Sequence, residues 1–305
     1  MPTSNQKHKE LELSIIILSY NTAAVTKDCL DSIYGDLSDS TIPFEIIVVD
    51  NASKDTSVAM LTTYKKTHSE LIVIESHENL GFSKGNNTAA KIARGNHLLF
   101  LNSDTIVLDQ AIHKLLAYYK KNETTVQFCG PKLLNTDNSP QPSCGPFYSL
   151  PVVFGALFLK GDYWGLTRSS PNETKQVDWV SGACILTKKE HFDKLNGFDE
   201  EIFMYMEEID LLYRARKLGM HTSIYPESRF IHLGSASSGG KTYPILQVYN
   251  GFLYFYKKHH SPFAVRILKG MLQLKAITSI LIGKITQSTY LTDTYEKAYR
   301  IASMD

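Results

Sequence analysis

A chain of 305 residues with 43% hydrophobic content holds enough apolar side chain for one large globular domain, or for one domain with an appendage. A net charge of +1 excludes a polyanion-binding role for the molecule as a whole, so no nucleic-acid partner is expected. The four cysteines (Cys29, Cys129, Cys144, Cys184) form no C-x-x-C pair and no apolar run reaches the length of a bilayer span, which excludes a disulfide scaffold, a zinc knuckle and a membrane anchor of the spanning kind.

The N-terminal segment "MPTSNQKHKELEL" is polar and has no apolar core of the signal-peptide type, so a cytoplasmic protein with reduced thiols is expected. The run "LSIIILSY" (13–20) is continuously apolar and β-branched, the mark of a strand buried on both faces. Helical spacing follows in "VTKDCLDSIYG", then a second strand in "FEIIVVDNAS" (44–53). A helix is expected over 53–66 with Ser53 as its N-cap, a third strand over 71–76, and a helix over 83–95 closed by Gly95. "HLLFLNSD" (97–104) reads as the fourth strand and 108–121 as the next helix. Alternating strands and helices over the first 120 or so residues predict an α/β fold with a mostly parallel, doubly wound, Rossmann-like sheet and helices on both faces.

From 131 to 176 the pattern breaks into an irregular excursion rich in Pro, Ser, Asn and Gly. Order returns with a strand at 178–186, a short helix at 188–195, a helix from about 207 to 218 and a strand near 221–226. "RFIHLGSASSGG" reads as a loop, and 244–300 as mostly helical.

Ligands of such sheets sit beyond the carboxyl ends of the strands. The residues leaving those ends are Asn21, Asp50 and Asn51, Glu78 and Asn79, and Asn102, Ser103 and Asp104. This polar, acidic set lacks G-x-G-x-x-G and the G-x-x-x-x-G-K-[ST] phosphate loop, which argues against a dinucleotide fold and a P-loop NTPase. Asp104 is open to two readings, a turn residue or a hard oxygen ligand for Mg²⁺ or Mn²⁺ on a diphosphate. Asp50 is open to capping of the next helix, or to accepting the N3–H of a pyrimidine or a ribose hydroxyl. Gly81 and Gly85 allow close backbone approach to a ligand, or simply form a βα loop. Glu207, Glu208 and Asp210 cluster at a helix start among aromatic residues, where closely spaced buried carboxylates suit a general base. His232 is a structural histidine or a metal ligand.

"SIIILSYN", "IIVVDNAS", "NLGFSKGNN", "LLFLNSD", "VSGACILTKKEHFDKLNGFDEEIFMYMEEIDLLYR" and "IHLGS", in that order over about three quarters of the chain, resemble the family-two inverting glycosyltransferases of the GT-A fold, in their bacterial rhamnosyltransferase-like branch. The resemblance implies a catalytic domain over 1–240, with a nucleotide-sugar half at about 12–130 and an acceptor half at about 131–240, followed by a helical extension over 241–305. It implies a donor site from Asn21, Asp50, Asn51, Asn79, Gly81, Phe82, Asn86, Asn102 and Ser103, with Asp50 on the pyrimidine. Asp104 matches the last acid of the family's D-x-D metal motif, whose first acid is here Asn102, and His232 a second ligand of Mg²⁺ or Mn²⁺. Glu208 matches the position of the usual base, with Glu207 or Asp210 as substitutes, and Trp179, Ser181 and Gly182 flank the acceptor. The implied reaction moves a sugar from dTDP-rhamnose or a UDP-sugar to a saccharide or lipid-linked acceptor in cell-surface polysaccharide synthesis. Two alternatives stay open: a nucleotide-sugar-binding protein with a degenerate site, and a nucleotidyltransferase.

Residues 257–300 carry eight Lys/Arg and two acids, interleaved with apolar positions. Two readings are open for this segment: peripheral contact with an anionic membrane at the inner face of the cell membrane, or packing on the catalytic domain.

Overall fold

A computed structural model describes residues 11–234 and 242–304. The polar start of the chain, read above for targeting, and most of the glycine-serine stretch after His232 lie outside them. In chain order the elements are β1 (Leu13–Ser19), α1 (Ala23–Leu37), β2 (Phe44–Asp50), α2 (Ser57–Lys65), β3 (Leu71–Glu75), α3 (Gly81–Ile92), β4 (His97–Asn102), β5 (Thr105–Leu108), α4 (Ala111–Asn122) and β6 (Phe128–Leu134). The middle of the chain gives β7 (Pro140–Gln141), β8 (Cys144–Gly145), α5 (Leu150–Phe158), β9 (Lys175–Val177), β10 (Trp179–Val180), β11 (Cys184–Lys188) and α6 (Lys189–Lys194). Then come α7 (Glu207–Lys217), β12 (Thr222–His232), α8 (Thr242–His259), α9 (Pro262–Ile285) and α10 (Thr289–Ser303).

The main sheet runs in the order β3-β2-β1-β4-β11-β6-β12-β5. Its first four strands are parallel, β11 is antiparallel to both β4 and β6, and β12 is parallel to β6. Alternate residues of the parallel strands feed opposite cores. Ile16, Ile47, Val49 and Phe100 join one cluster, while Ile15, Ile17, Val48 and Leu101 join the other. Helices cover both faces, so both residue parities must be apolar, and the strands read as unbroken runs. One of the two cores also contains Tyr249, Phe252, Leu268 and Ala298, so the C-terminal helices share their apolar contacts with Trp179 and Leu211. All four cysteines are buried and free.

Several expected boundaries shift. The helix read over 53–66 starts at Ser57, and its N-cap Thr56 makes no side-chain capping bond. Ser53 instead shapes the turn after β2: its N–H donates to Asp50 Oδ1 and its Oγ accepts from the N–H of Asn21. The helix read over 108–121 starts at Ala111, and Leu108 instead closes a strand, β5, which pairs antiparallel with β12. The stretch read as one strand over 178–186 divides into β10 and β11 around Ser181–Ala183. The excursion after 131 opens inside a buried strand, β6, and later carries a helix, α5. The last strand runs through Pro226 to His232, with a register shift between Tyr225 and Arg229 that absorbs the proline.

Candidate functional site

The parallel strands end on one side of the sheet, and a cavity of about 550 Å³ opens there. That volume suits a small-molecule ligand. Its floor is made by Asn51, Asn102, Ser103 and Asp104. The loop before α3 adds Asn79, Gly81 and Phe82, the β10–β11 loop adds Ser181 and Gly182, and α7 adds Glu207 and Glu208. His232 closes one side from the end of β12, and Trp179 lies on the acceptor side. Asp104 and Glu208, about a hundred positions apart in the chain, therefore share one pocket.

Asn51 and Asn79 shape the wall through their own hydrogen bonds. Asn51 Nδ2 donates to Asn79 Oδ1 at 2.8 Å, and Asn51 Oδ1 accepts from the N–H of Leu80 at 2.7 Å. Asn79 Oδ1 also accepts from the N–H of Gly81. Gly81 has φ +71°, and a Cβ there would meet the Phe203 carbonyl oxygen at 2.5 Å. The absence of a side chain at this glycine admits residue 203. It lets the Phe82 N–H donate to the Phe203 oxygen at 2.7 Å, tying the loop before α3 to the segment that enters α7. Gly85 likewise admits Leu18, since its Cβ would lie 2.5 Å from Leu18 Cδ1.

Four expected site residues do not line the cavity among the described residues. Asn21 is exposed, with its Oδ1 accepting from the N–H of Lys54. Asn86 is buried in α3 and donates to the Phe82 carbonyl. Asp50 is 1% exposed beneath the turn it helps to form. Its Oδ2 is buried without a hydrogen-bond partner among the described residues. Asp210 points away, into a knot of hydrogen bonds with Arg214, Lys258 and His259 at 2.7, 2.8 and 2.7 Å. Those partners hold its carboxyl well below the usual carboxylate range despite burial. A carboxylate so paired is a poor proton acceptor, so Asp210 is a structural anchor between α7 and α8 and not a substitute base.

Glu207 and Glu208 have the opposite environment. Tyr205 and Met206 precede them with φ +64° and +77°, two consecutive left-handed non-glycine residues. This sharp turn aims the first residues of α7 into the cavity. Burial pushes both carboxyls above their usual range, and the charge of Glu208 pushes Glu207 up further. Backbone N–H groups at the helix start and at Gly182, together with Arg168, hold Glu208 back. One oxygen of each, Glu207 Oε2 and Glu208 Oε2, is buried without a hydrogen-bond partner among the described residues. Both carboxyls thus favour the protonated form, Glu207 with the added push of its neighbour's charge.

On the other side, Asp104 Oδ1 stands 3.3 Å from His232 Nε2, and Asn102 Nδ2 stands 3.3 Å from the same nitrogen. Gln141 fixes the ring. Its Nε2 donates to the backbone carbonyl of His232 at 3.1 Å, which leaves its Oε1 facing His232 Nδ1 at 2.8 Å. With Nδ1 donating to that oxygen, the neutral form of the ring presents the Nε2 lone pair to Asp104 and Asn102. Two electron-pair donors facing each other fit a divalent cation. Among the described residues no group of three His, Cys, Asp or Glu side chains is placed to hold a metal. Two protein ligands with the remainder from a diphosphate and water is a pattern natural to Mg²⁺.

Sequence reading did not single out Gln141, Tyr148 or Arg168, all of which line the cavity. Tyr148 stacks on Trp179 with ring centroids 6.0 Å apart, and the Arg168 guanidinium lies 5.8 Å from the Trp179 ring. All three come from the excursion, where no periodic pattern marks an inward-facing residue.

The family model for glycosyl transferase family 2 matches residues 14–190. A low-salt glycan biosynthesis hexosyltransferase, Agl10 of Haloferax volcanii, is 27% identical over 210 residues, covering 68% of this chain and 62% of that protein. The rhamnosyltransferase WbbL of Escherichia coli is 28% identical over 72% of this chain and 82% of its own. The N-acetylglucosaminyl-diphospho-decaprenol L-rhamnosyltransferase of Mycobacterium tuberculosis is 33% identical over 36% of this chain and 38% of its own. Among solved structures, the mannosyltransferase PcManGT of Pyrobaculum calidifontis, in complex with GDP-Man and Mn²⁺, superposes with a TM-score of 0.58 at 15% identity, covering 96% of this chain and 86% of that one. Staphylococcus aureus TarS in complex with UDP-GlcNAc gives 0.54 at 15% identity, covering 95% and 92%.

Proposed function

This chain belongs to glycosyl transferase family 2, and from that membership we propose that it transfers a sugar from a nucleoside diphosphate sugar to a hydroxyl acceptor with inversion at the anomeric carbon. The observation that carries this reading is that one cavity holds two chemically opposed ends: the Asp104–His232 donor pair, and the proton-hungry Glu207–Glu208 pair.

Donor binding is assigned to the strand-end side. Asp50, buried beneath the turn after β2, supports that side through its bond from the Ser53 N–H and does not line it. Asn51, Asn79, Gly81, Phe82, Asn102 and Ser103 form the adjoining wall. Asp104 and His232 Nε2 would hold Mg²⁺ or Mn²⁺, which would supply positive charge to the diphosphate as it departs. Glu208 accepts the proton of the acceptor hydroxyl as that oxygen bonds to the anomeric carbon from the face opposite the diphosphate. The bond from that carbon to the diphosphate oxygen breaks in the same step, and its electron pair leaves with the diphosphate. A single displacement of this kind inverts the carbon and needs no protein nucleophile. Trp179, flanked by Tyr148 and Arg168, gives the acceptor saccharide a flat apolar wall.

We take dTDP-rhamnose or a UDP-sugar as the donor, and the rhamnosyltransferases among the relatives, one named for a diphospho-decaprenol, favour a saccharide or lipid-linked acceptor in polysaccharide synthesis. A lipid-linked acceptor favours attachment at the inner face of the cell membrane. The experiment is a thermal-shift panel of UDP-, dTDP- and GDP-sugars with Mn²⁺. Stabilisation by a pyrimidine donor supports the reading, and no shift with any nucleotide sugar refutes it.

A further inference from the structure

Helix α9 is apolar on two opposite sides. Its inner side, Leu268, Leu272, Ala276, Ser279 and Gly283, is buried against the rest of the protein. Its outer side carries Phe263, Ile267, Leu274, Ile277, Leu281 and Ile285, all exposed, with Phe263 at 71% and Ile285 at 81%. At the α-helical rotation these six fall within an arc of about 80°, forming one stripe along the helix. Solvent alone gives no reason for such a stripe to run the length of a 24-residue helix, roughly 36 Å.

A second apolar feature adjoins it. α5 packs against α9. In the turn that follows α5, Leu159, Tyr163, Trp164 and Leu166 are 55%, 78%, 67% and 64% exposed. Their neighbours Asp162 and Arg168 line the cavity, so this aromatic turn stands at the rim of the site.

We propose that the outer stripe of α9 and the 159–166 turn form one docking surface for an anionic lipid bilayer, with α9 lying in the plane of the interface and the cavity rim held at the headgroups. Charge complementarity selects this occupant. α9 contains Arg266, Lys269, Lys275 and Lys284 and no acidic residue. Arg266, Lys275 and Lys284 enter no ion pair among the described residues. Cations flanking an apolar stripe suit anionic headgroups, and exposed Trp and Tyr suit the boundary between headgroup and acyl chain. A second copy of the chain fits less well, since a two-fold contact through α9 sets cation against cation. Insertion across the bilayer does not apply, because no described helix is long and apolar enough to cross.

This inference deepens the transfer reading by naming the acceptor as lipid-linked, and it rests on that reading. Its test is flotation of the full chain with vesicles of phosphatidylcholine, and of phosphatidylcholine mixed with phosphatidylglycerol at roughly two to one. The chain is expected to float with the mixed vesicles, partitioning about tenfold or more above phosphatidylcholine alone. Leu274→Ser with Leu281→Ser, and separately Trp164→Ala, should lower flotation on both. Lys275→Gln with Lys284→Gln should remove most of the preference for anionic lipid. All variants should keep the intact chain's release of nucleoside diphosphate from its donor, which shows that the fold and site survive. Absence of flotation by the intact chain, or stripe variants that float unchanged, overturns the proposal. Concentration-dependent dimers in sedimentation without vesicles, abolished by the stripe variants, reassign the face to a second copy and overturn it too. A chain that floats but neither binds nor cleaves any nucleotide sugar keeps the docking surface and refutes the transfer reading instead.

Discussion

His232 Nε2 stands 3.3 Å from Asp104 Oδ1, and Gln141 holds it there by engaging both the ring and the backbone carbonyl of the same histidine. Gln141→Met removes the acceptor at Nδ1 and frees the tautomer. Mn²⁺ affinity, measured by electron paramagnetic resonance with the donor nucleotide present, is expected to fall about 10- to 100-fold. In the metal-free protein, nitrogen NMR of His232 should show the tautomer mixture that the wild type lacks. An unchanged spectrum and affinity would remove Gln141 from the site.

Glu208→Gln keeps the size and burial of the side chain and removes its basicity. Turnover should fall by about 10² to 10⁴, with donor affinity kept. Asp104→Ala should do the reverse, weakening Mn²⁺-dependent donor binding in calorimetry. If both variants lose donor affinity equally, the division of the cavity into a metal end and a base end is wrong.

The raised carboxyls set a pH dependence. Glu208 must be ionised to act, so kcat/KM should fall on the acid side at a pH above the ordinary glutamate value of about 4.3. Glu207→Gln should leave that limb nearly in place, because burial, and not a charge on Glu207, raises the Glu208 carboxyl. The sign for stability is opposite to that of an ordinary salt-bridged acid. A carboxyl raised in the folded state binds its proton more tightly there than when unfolded, so stability falls as pH rises through the raised value. Glu207→Gln should therefore increase Tm at neutral pH and flatten its pH dependence, by differential scanning calorimetry.

Asp210 behaves in the contrary sense. Its depressed carboxyl contributes stability that is present at neutral pH and lost as pH falls below the usual carboxylate range. Asp210→Asn leaves Arg214 and Lys258 without their shared anion and should cost about 3–5 kcal/mol in denaturant unfolding. A neutral effect would mean that the contact between α7 and α8 does not rest on this knot.

Gly251 of α8 faces the strained turn, and a Cβ there would lie 2.7 Å from Met206 Cγ and 3.0 Å from the Tyr205 oxygen. Gly251→Ala should displace the start of α7 and lower turnover by up to about 10², although residue 251 touches no substrate. Full activity with a raised Tm would show that the turn yields without moving Glu208.

The parallel half was legible because burial on both faces leaves an unambiguous apolar run, as in "SIIILS". The strand ends then located Asn102, Ser103 and Asp104, and composition located Glu207 and Glu208. Elsewhere the local signal pointed the wrong way. Gly130 and Pro131 interrupt β6, which the sequence reading does not mark as a strand, and Pro226 interrupts β12, which that reading ends near 226. Gln141 and Arg168 reach the cavity by tertiary folding of a proline-rich segment that has no period to read. Asp210 could not be told from its neighbours, because the cations that neutralise it arrive partly from α8, nearly fifty positions later.

The most direct measurement is release of nucleoside diphosphate from a UDP- or dTDP-sugar by the full chain with and without Mn²⁺, run beside Glu208→Gln and Asp104→Ala. Metal-dependent release by the wild type is expected, with loss in both variants and donor binding kept only in Glu208→Gln. Release that is indifferent to the metal and to both substitutions would contradict a shared site built from Asp104, His232 and Glu208.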